Sequence, residues 1–457
     1  MPDKHQDFTG TLTQRMKKIL VLGAGRTALS LIQYLARCTN PIFEVRLADI
    51  SATAATEKAK AYHNVRGIQF DVMNPEQRED EIRNADLVIS LLPVRFHVEM
   101  ARTCLKYRKH MLTASYVSSD MKSLDQEARD RGVLLLNECG LDPGIDHMTA
   151  MAALDSIRFA KGGTIHSFMS YTGGLVAPES DDNPWHYKFT WNPRNVVLAG
   201  KETAQFISNG RYKYIPYHRL FTRLTSVQIT GFGDFEGYAN RDSLKYRELY
   251  GLNEVSTMIR GTLRRPGFCQ AWNILVQLGL TDDSYNLEGL EQMTYRDFID
   301  NFLYYHPTRS VEDKLCEYLG IDSKGEIMKQ LQWLGLFDST RIGLDQASPA
   351  DVLQHLLEQK WKLKPEDRDM IVMQHQVGYQ LAGNTQNLKT SLVVLGENTG
   401  QTAMSKTVGW PLAIATRLLL SGEIEDTGVK LPITPKYYQP IMQELRMLGV
   451  NIIEETG

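Results

Sequence analysis

Cysteine is scarce in this chain and badly placed for joint work. The five cysteines, at positions 38, 104, 139, 269 and 316, show no CxxC spacing and no histidine at ligand spacing. That pattern excludes a disulfide framework and a zinc ribbon and points to a reducing, cytoplasmic setting. Long apolar runs are missing too. The longest candidates are 87–94 and 412–420, the second interrupted by Arg417, whereas a membrane-spanning helix needs about 20 apolar residues. Charge of either sign is not in excess, the formal net charge being −3, so neither nucleic acid nor a membrane surface is an expected partner. The opening stretch, 1–16, is polar and lacks the apolar core of a secretory signal; it is read as a leader.

What remains is an ordinary globular composition, 457 residues with 42% hydrophobic, enough for two or three domains. The clearest local signal follows the leader. A buried-strand pattern, Ile19 to Leu22, runs into Gly23, Ala24, Gly25, Arg26, Thr27 and Ala28 and then a helical segment. Gly23 permits a tight turn, Gly25 lets backbone N–H groups approach a pyrophosphate, and Ala28 lets the helix pack close. The helix N-terminus adds partial positive charge. A lone GxGxxA also occurs without a ligand, so the flanks decide. A second strand, from Phe43, ends in Asp49, 24 residues after Gly25, where an acid can grip a ribose 2′-hydroxyl. With Ile50 beside it, that acid favours NAD, and NADP stays open because Arg46 or Lys58 could soften the repulsion of a 2′-phosphate.

A strand–helix rhythm continues at 67–72, 86–92, 109–113 and 133–137, predicting a doubly wound parallel sheet. In such sheets ligands sit beyond the carboxyl ends of strands. Leu91, Leu92 and Pro93 therefore join the candidate cofactor residues, and Ser115 and Tyr116, which could equally be a plain strand-to-helix cap, join the candidate site. Asp142 lies in a Pro-Gly turn that exposes its carboxylate. Asp146 and His147 are adjacent and diverge on a helix, with no third ligand in spacing, so no metal site is expected. Arg241 could hold a carboxylate in two hydrogen bonds; the competing reading is a structural pair with Asp242 or Asp234.

The motifs as a set resemble the glutamate-forming saccharopine dehydrogenase family. SLLP (90–93), TASYVS (113–118), LDQEARDRG (124–132) and NECGLDPGIDHM (137–148) carry the first part of the likeness. SYTGGL (170–175), APE (177–179), DNP (182–184) with YKF and Trp191, YANRDS (238–243), IRGTLR (259–264) and AMSKTVG (403–409) extend it. The resemblance covers about 17–432 and leaves the tail without an assigned role. It implies an α/β protein, a Rossmann dinucleotide-binding domain plus an α+β substrate domain with a small helical insertion. The boundaries are 17–143 for the first, 144–285 and 364–400 for the second, 286–363 for the insertion, and 401–457 for a segment returning to the Rossmann domain.

The same resemblance implies NAD(P)-dependent oxidation of saccharopine to glutamate and 2-aminoadipate 6-semialdehyde, or the reverse reduction, in lysine metabolism. It implies Asp142 and Tyr116 as catalytic groups, and Ser115, Thr172, Gly173, Asn240 and Arg241 as binders of a substrate with several carboxylates. A homodimer is expected. The chain departs from the family at Thr172, where members carry cysteine, at His186, which replaces a glycine, and at Asp49, since the fungal enzymes use NADP. The alternatives are a carboxynorspermidine-type amine reductase and a dinucleotide-binding protein without turnover.

Overall fold

The computed structural model describes residues 16–457; apart from Met16, the polar leader lies outside the described residues. In chain order the strands are β1 (Lys17–Leu22), β2 (Phe43–Asp49), β3 (Val65–Gln69), β4 (Leu87–Ser90), β5 (His110–Thr113), β6 (Leu134–Leu136), β7 (Thr164–Val176), β8 (Ala204–Ser208), β9 (Arg211–Ile215) and β10 (Leu224–Ile229). They continue with β11 (Gly233–Ala239), β12 (Thr257–Arg264), β13 (Asp369–Leu381), β14 (Asn384–Leu395), β15 (Gly428–Lys430) and β16 (Ile452–Thr456). The described residues divide into two compact units, one running to Gly144 and including 408–432, the other 145–407 with 433–457. The segment expected to return whole to the first domain is thus split. Only 408–432 belongs there, because the helix Pro435–Met447 packs on the helix Ile145–Asp155 and β16 pairs with β14.

The first unit is a seven-stranded sheet in the order β15-β6-β5-β4-β1-β2-β3, all pairs parallel. Parallel strands are covered on both faces, which is why β4 and β6 are buried at every residue. The order reverses between β1 and β4, the point beyond which such sheets open a ligand crevice. Gly23, directly after β1, has φ +105°, and a Cβ there would press on the carbonyl of Leu91 at 3.1 Å, so a larger residue would be strained there.

The second unit is built on a nine-stranded sheet. Its main path is β10-β11-β12-β7-β13-β14-β16, with β8 pairing β12 and β9. β7 and β13 pair along nearly their full lengths with one irregularity at Gly378 and Tyr379. The sheet curls: Thr230 Oγ1, just past β10, donates to Glu455 on β16 at 2.6 Å, linking its two ends, and Gln374 Nε2 on β13 donates to the carbonyl of Gln228 on β10 at 3.1 Å. This is the usual strand twist accumulated over many strands. Helices of the expected insertion, Tyr295–Asp300, Val311–Leu319, Glu326–Leu334 and Pro349–Lys360, share a core with Trp185, Trp272 and Trp361. Two of the four begin with a full capping box, at Thr294 and Ser348, where side chain and backbone satisfy each other's orphan donors.

Candidate active site

Ala24 to Thr27 form the turn between β1 and the helix Ala28–Arg37. A Cβ built on Gly25 would meet nothing within 4 Å, so the backbone faces open space where a diphosphate could approach. Thr27 does not cap the helix with its side chain, which keeps the first-turn N–H groups from being covered by it. Asp49 closes the turn from the other side. Its Oδ2 accepts from the N–H of Ala24 at 2.7 Å and its Oδ1 from the N–H of Ser51 at 2.9 Å. Each carboxylate oxygen has a second lone pair, so the ribose-gripping reading is compatible with both bonds. Ile50 beside it is 65% exposed. Arg46 is committed elsewhere, its guanidinium donating to Glu81 at 2.7 Å, so the expectation that it could offset a 2′-phosphate is not met. Leu91 and Leu92 are half-buried and Pro93 is exposed at the end of β4.

Ser115 and Tyr116 follow β5, and the structure brings Tyr116 to Asp142. The phenol donates to Oδ1 at 2.9 Å across 26 residues of sequence. Gly140 and Gly144 are stacked so closely behind Asp142 that a Cβ on Gly144, at φ +148°, would enter the Gly140 backbone. Gly144 of the DPG turn is therefore a steric requirement. Glu138, fully buried at a left-handed φ of 56°, accepts from the N–H of Val117 at 2.9 Å and fixes the loop that carries Ser115 and Tyr116. In the sequence Glu138 is one residue of the NECGLDPGIDHM motif with nothing to distinguish it; a buried glutamate has no periodic signature.

In the second unit Thr172 is opposite Thr262 on β12 and Met373 on β13. A Cβ on Gly173 would lie 2.8 Å from the Leu263 carbonyl, so Gly173 serves close strand approach. Asn240 and Arg241 leave β11, and the Asn240 N–H donates to the Arg260 carbonyl at 2.8 Å. With β12 lying between β11 and β7, that loop stands about two strand spacings, roughly 10 Å, from the row of Thr172. Arg241 adopts a left-handed φ of 46°, uncommon outside glycine and a sign of a tightly specified loop. Its carbonyl accepts from Gln205 N–H at 2.9 Å, while Asp242 caps Leu244 at 2.8 Å.

Asp146 and His147 do not diverge as expected: His147 Nδ1 lies 3.4 Å from Asp146 Oδ2, and both groups have further partners. Asp146, 1% exposed, accepts from Arg260 at 2.5 Å, and His147 is bonded to the Tyr250 hydroxyl. The Arg260 guanidinium also lies over the Tyr246 ring, 4.4 Å from its centroid, a cation–π contact. His186 pairs with Asp181 at 2.8 Å.

A parallel sheet with this strand order, a glycine turn after β1 and an acid ending β2 defines a Rossmann-type dinucleotide-binding domain. Residues 19–136 match the saccharopine dehydrogenase NADP binding domain, and residues 140–450 match the saccharopine dehydrogenase C-terminal domain. The chain belongs to the saccharopine dehydrogenase family. The second match reaches past 432, so the helix Pro435–Met447, taken from sequence as lying beyond the likeness, falls inside it.

Among relatives, saccharopine dehydrogenase [NADP(+), L-glutamate-forming] of Saccharomyces cerevisiae is 34% identical, over 96% of this chain and 99% of its own length. Mitochondrial alpha-aminoadipic semialdehyde synthase of Mus musculus is 35% identical over 95% of this chain, which spans 47% of that relative's length. The structure of apo saccharopine dehydrogenase (L-Glu forming) from Saccharomyces cerevisiae superposes with a TM-score of 0.88 at 33% identity, covering 96% of this chain and all of that one. Homospermidine synthase of Legionella pneumophila shares the fold alone, with a TM-score of 0.53 at 11% identity.

Proposed function

We propose that this protein is an oxidoreductase that interconverts saccharopine with glutamate and 2-aminoadipate 6-semialdehyde. The single observation that carries the reading is the match to the yeast glutamate-forming enzyme along 99% of that enzyme's length. In the oxidative direction the secondary amine of saccharopine loses hydride and proton, water adds at the resulting carbon–nitrogen double bond, and the bond to the glutamate nitrogen breaks. The dinucleotide, when bound, takes up or gives back the hydride. The groups that would hold it are the Ala24 to Thr27 backbone, Asp49, Ile50 and the 91–93 loop. Arg241 is suited to a substrate carboxylate, with Asn240, Thr172, Gly173 and Ser115 as further polar or close-approach contacts. Tyr116 and Asp142, already joined by a hydrogen bond, form a pair able to pass a proton to or from the amine nitrogen or the attacking water.

NAD is the preferred dinucleotide in this reading. Asp49 at the end of β2 favours a free 2′-hydroxyl and repels a 2′-phosphate, and Arg46, one of the two expected offsets, is paired to Glu81. The names of the matched family domain and of the yeast relative point the other way, to NADP, so NADP stays open and a side-by-side assay separates the two. Purified protein is mixed with saccharopine and either NAD⁺ or NADP⁺, and reduced nicotinamide is followed by absorbance. Turnover with NAD⁺ favoured is expected; no turnover with either contradicts the activity, and a preference for NADP⁺ contradicts the role of Asp49. A homodimer without nucleic-acid or membrane partners completes the proposal, and analytical ultracentrifugation tests it.

A further inference from the structure

His97 opens the helix His97–Lys106 and is 3% exposed between the carboxyl ends of β4 and β5. Its Nδ1 is 2.9 Å from Ser90 Oγ, the last residue of β4, and its Nε2 is 2.8 Å from Ser115 Oγ. Thr113 Oγ1, ending β5, lies further from Nε2 at 3.4 Å. The backbone of Ser115 is held on both sides. Its N–H donates to Thr113 Oγ1 at 3.2 Å and its carbonyl accepts from Glu138 N–H at 3.1 Å. What these bonds leave undetermined is the direction of the Ser115 hydroxyl, and the imidazole is the side chain that meets it.

We propose that His97 is a positioning residue, which, braced by Ser90, fixes the Ser115 hydroxyl toward the substrate over the ends of β4 and β5. The inference rests on the substrate reading given above. A neutral imidazole carries one donor and one acceptor, so the two serines cannot both donate to it or both accept from it. Whichever serine donates to the ring, the other accepts from it, so the nitrogen facing Ser115 sets whether Ser115 offers the ligand a proton or a lone pair. Desolvation keeps the ring neutral, holding its pKa down at about 4, so the device works unchanged across the neutral range.

The two nitrogens can be tested apart, since an asparagine amide reproduces the reach of Nδ1 and a glutamine amide that of Nε2. His97→Gln keeps the Ser115 contact, and its kcat/KM for saccharopine is expected to stay within about threefold of wild type. His97→Asn keeps only Ser90 and is expected to lose about 10- to 100-fold. Ser115→Ala should lose as much, and the double variant His97→Asn with Ser115→Ala no more than Ser115→Ala alone. Melting temperatures and NADH affinity by fluorescence are expected to be alike for the two His97 variants.

Equal losses in the two variants, or losses that add in the double variant, overturn the inference. A second arm does not depend on turnover. In protein labelled with ¹⁵N-histidine, Ser115→Ala should shift the Nε2 resonance of His97 and leave the other ring nitrogens in place; an unmoved Nε2 overturns the inference even if saccharopine proves not to be the substrate or His97→Asn fails to fold.

Discussion

The Tyr116 phenol donates to the carboxylate of Asp142 at 2.9 Å, joining the loop after β5 to the turn that ends the first unit. Tyr116→Phe removes the phenolic proton of the pair, while Asp142→Asn keeps the shape and removes the carboxylate. Both are expected to lower kcat by roughly 100-fold with the KM for saccharopine changed little, the mark of a group acting in the transition state. Steady-state kinetics check this, and a loss confined to KM would contradict it.

Asp49 gives a prediction in cofactor choice. Replacing Asp49 with Ser and Ile50 with Arg removes the carboxylate and adds a cation. The ratio of kcat/KM for NAD to that for NADP should then fall by about tenfold or more, since each 1.4 kcal/mol of lost discrimination is one decade. Measured ratios that do not move would remove Asp49 from the ribose contact.

Arg241 sits in a loop whose backbone is pinned by Gln205 and, through Ser243 Oγ accepting at 2.9 Å, by Arg260 N–H. Arg241→Lys should leave that backbone intact and lose the planar fork, raising the KM for saccharopine about tenfold and that for the dinucleotide little. Equal changes in both constants would speak against carboxylate binding.

Asp369, buried at the start of β13, accepts from Ala403 N–H at 2.6 Å and Met404 N–H at 2.9 Å, the first turn of the helix Ala403–Leu420. Asp369→Ala leaves both donors without that acceptor. The expected loss of stability is about 1–3 kcal/mol, read as a lower denaturation midpoint; an unchanged midpoint would mean water replaces the carboxylate without penalty.

His97 also links stability to pH. Its folded pKa of about 4, depressed by burial from 6.5, means the unfolded chain binds a proton that the folded one refuses. The contribution is fully present above pH 6.5 and is lost as pH falls from there toward 4, a loss of about 2 kcal/mol between pH 7 and pH 5. Urea titrations should show a shallower decline over that range in His97→Gln than in wild type; identical declines would place the titration elsewhere.

Much of the first unit was legible in the sequence. Parallel strands covered on both faces read as short apolar runs, and a glycine turn between strand and helix has a local steric cause, so β1, the turn and Asp49 can be located without tertiary knowledge. The observed strands differ from expectation mainly at their ends, as at Val65–Gln69 against 67–72, where edges fray into turns. The tail was less legible. A single helix and a short strand say nothing of which sheet they complete, and only pairing with β14 put residues 433–457 in the second unit.

By itself, then, the sequence determined the type of each domain and offered candidate groups such as Asp49, Tyr116 and Arg241, because those readings depend on local periodicity, turn sterics and side-chain type. Which of those groups meet was decided only by the tertiary structure. Asp146 finds Arg260 across 114 residues and His97 finds Ser115 across 18; such pairings follow from strand order and register, and a hydrogen bond forms only where folding brings donor and acceptor within about 3 Å.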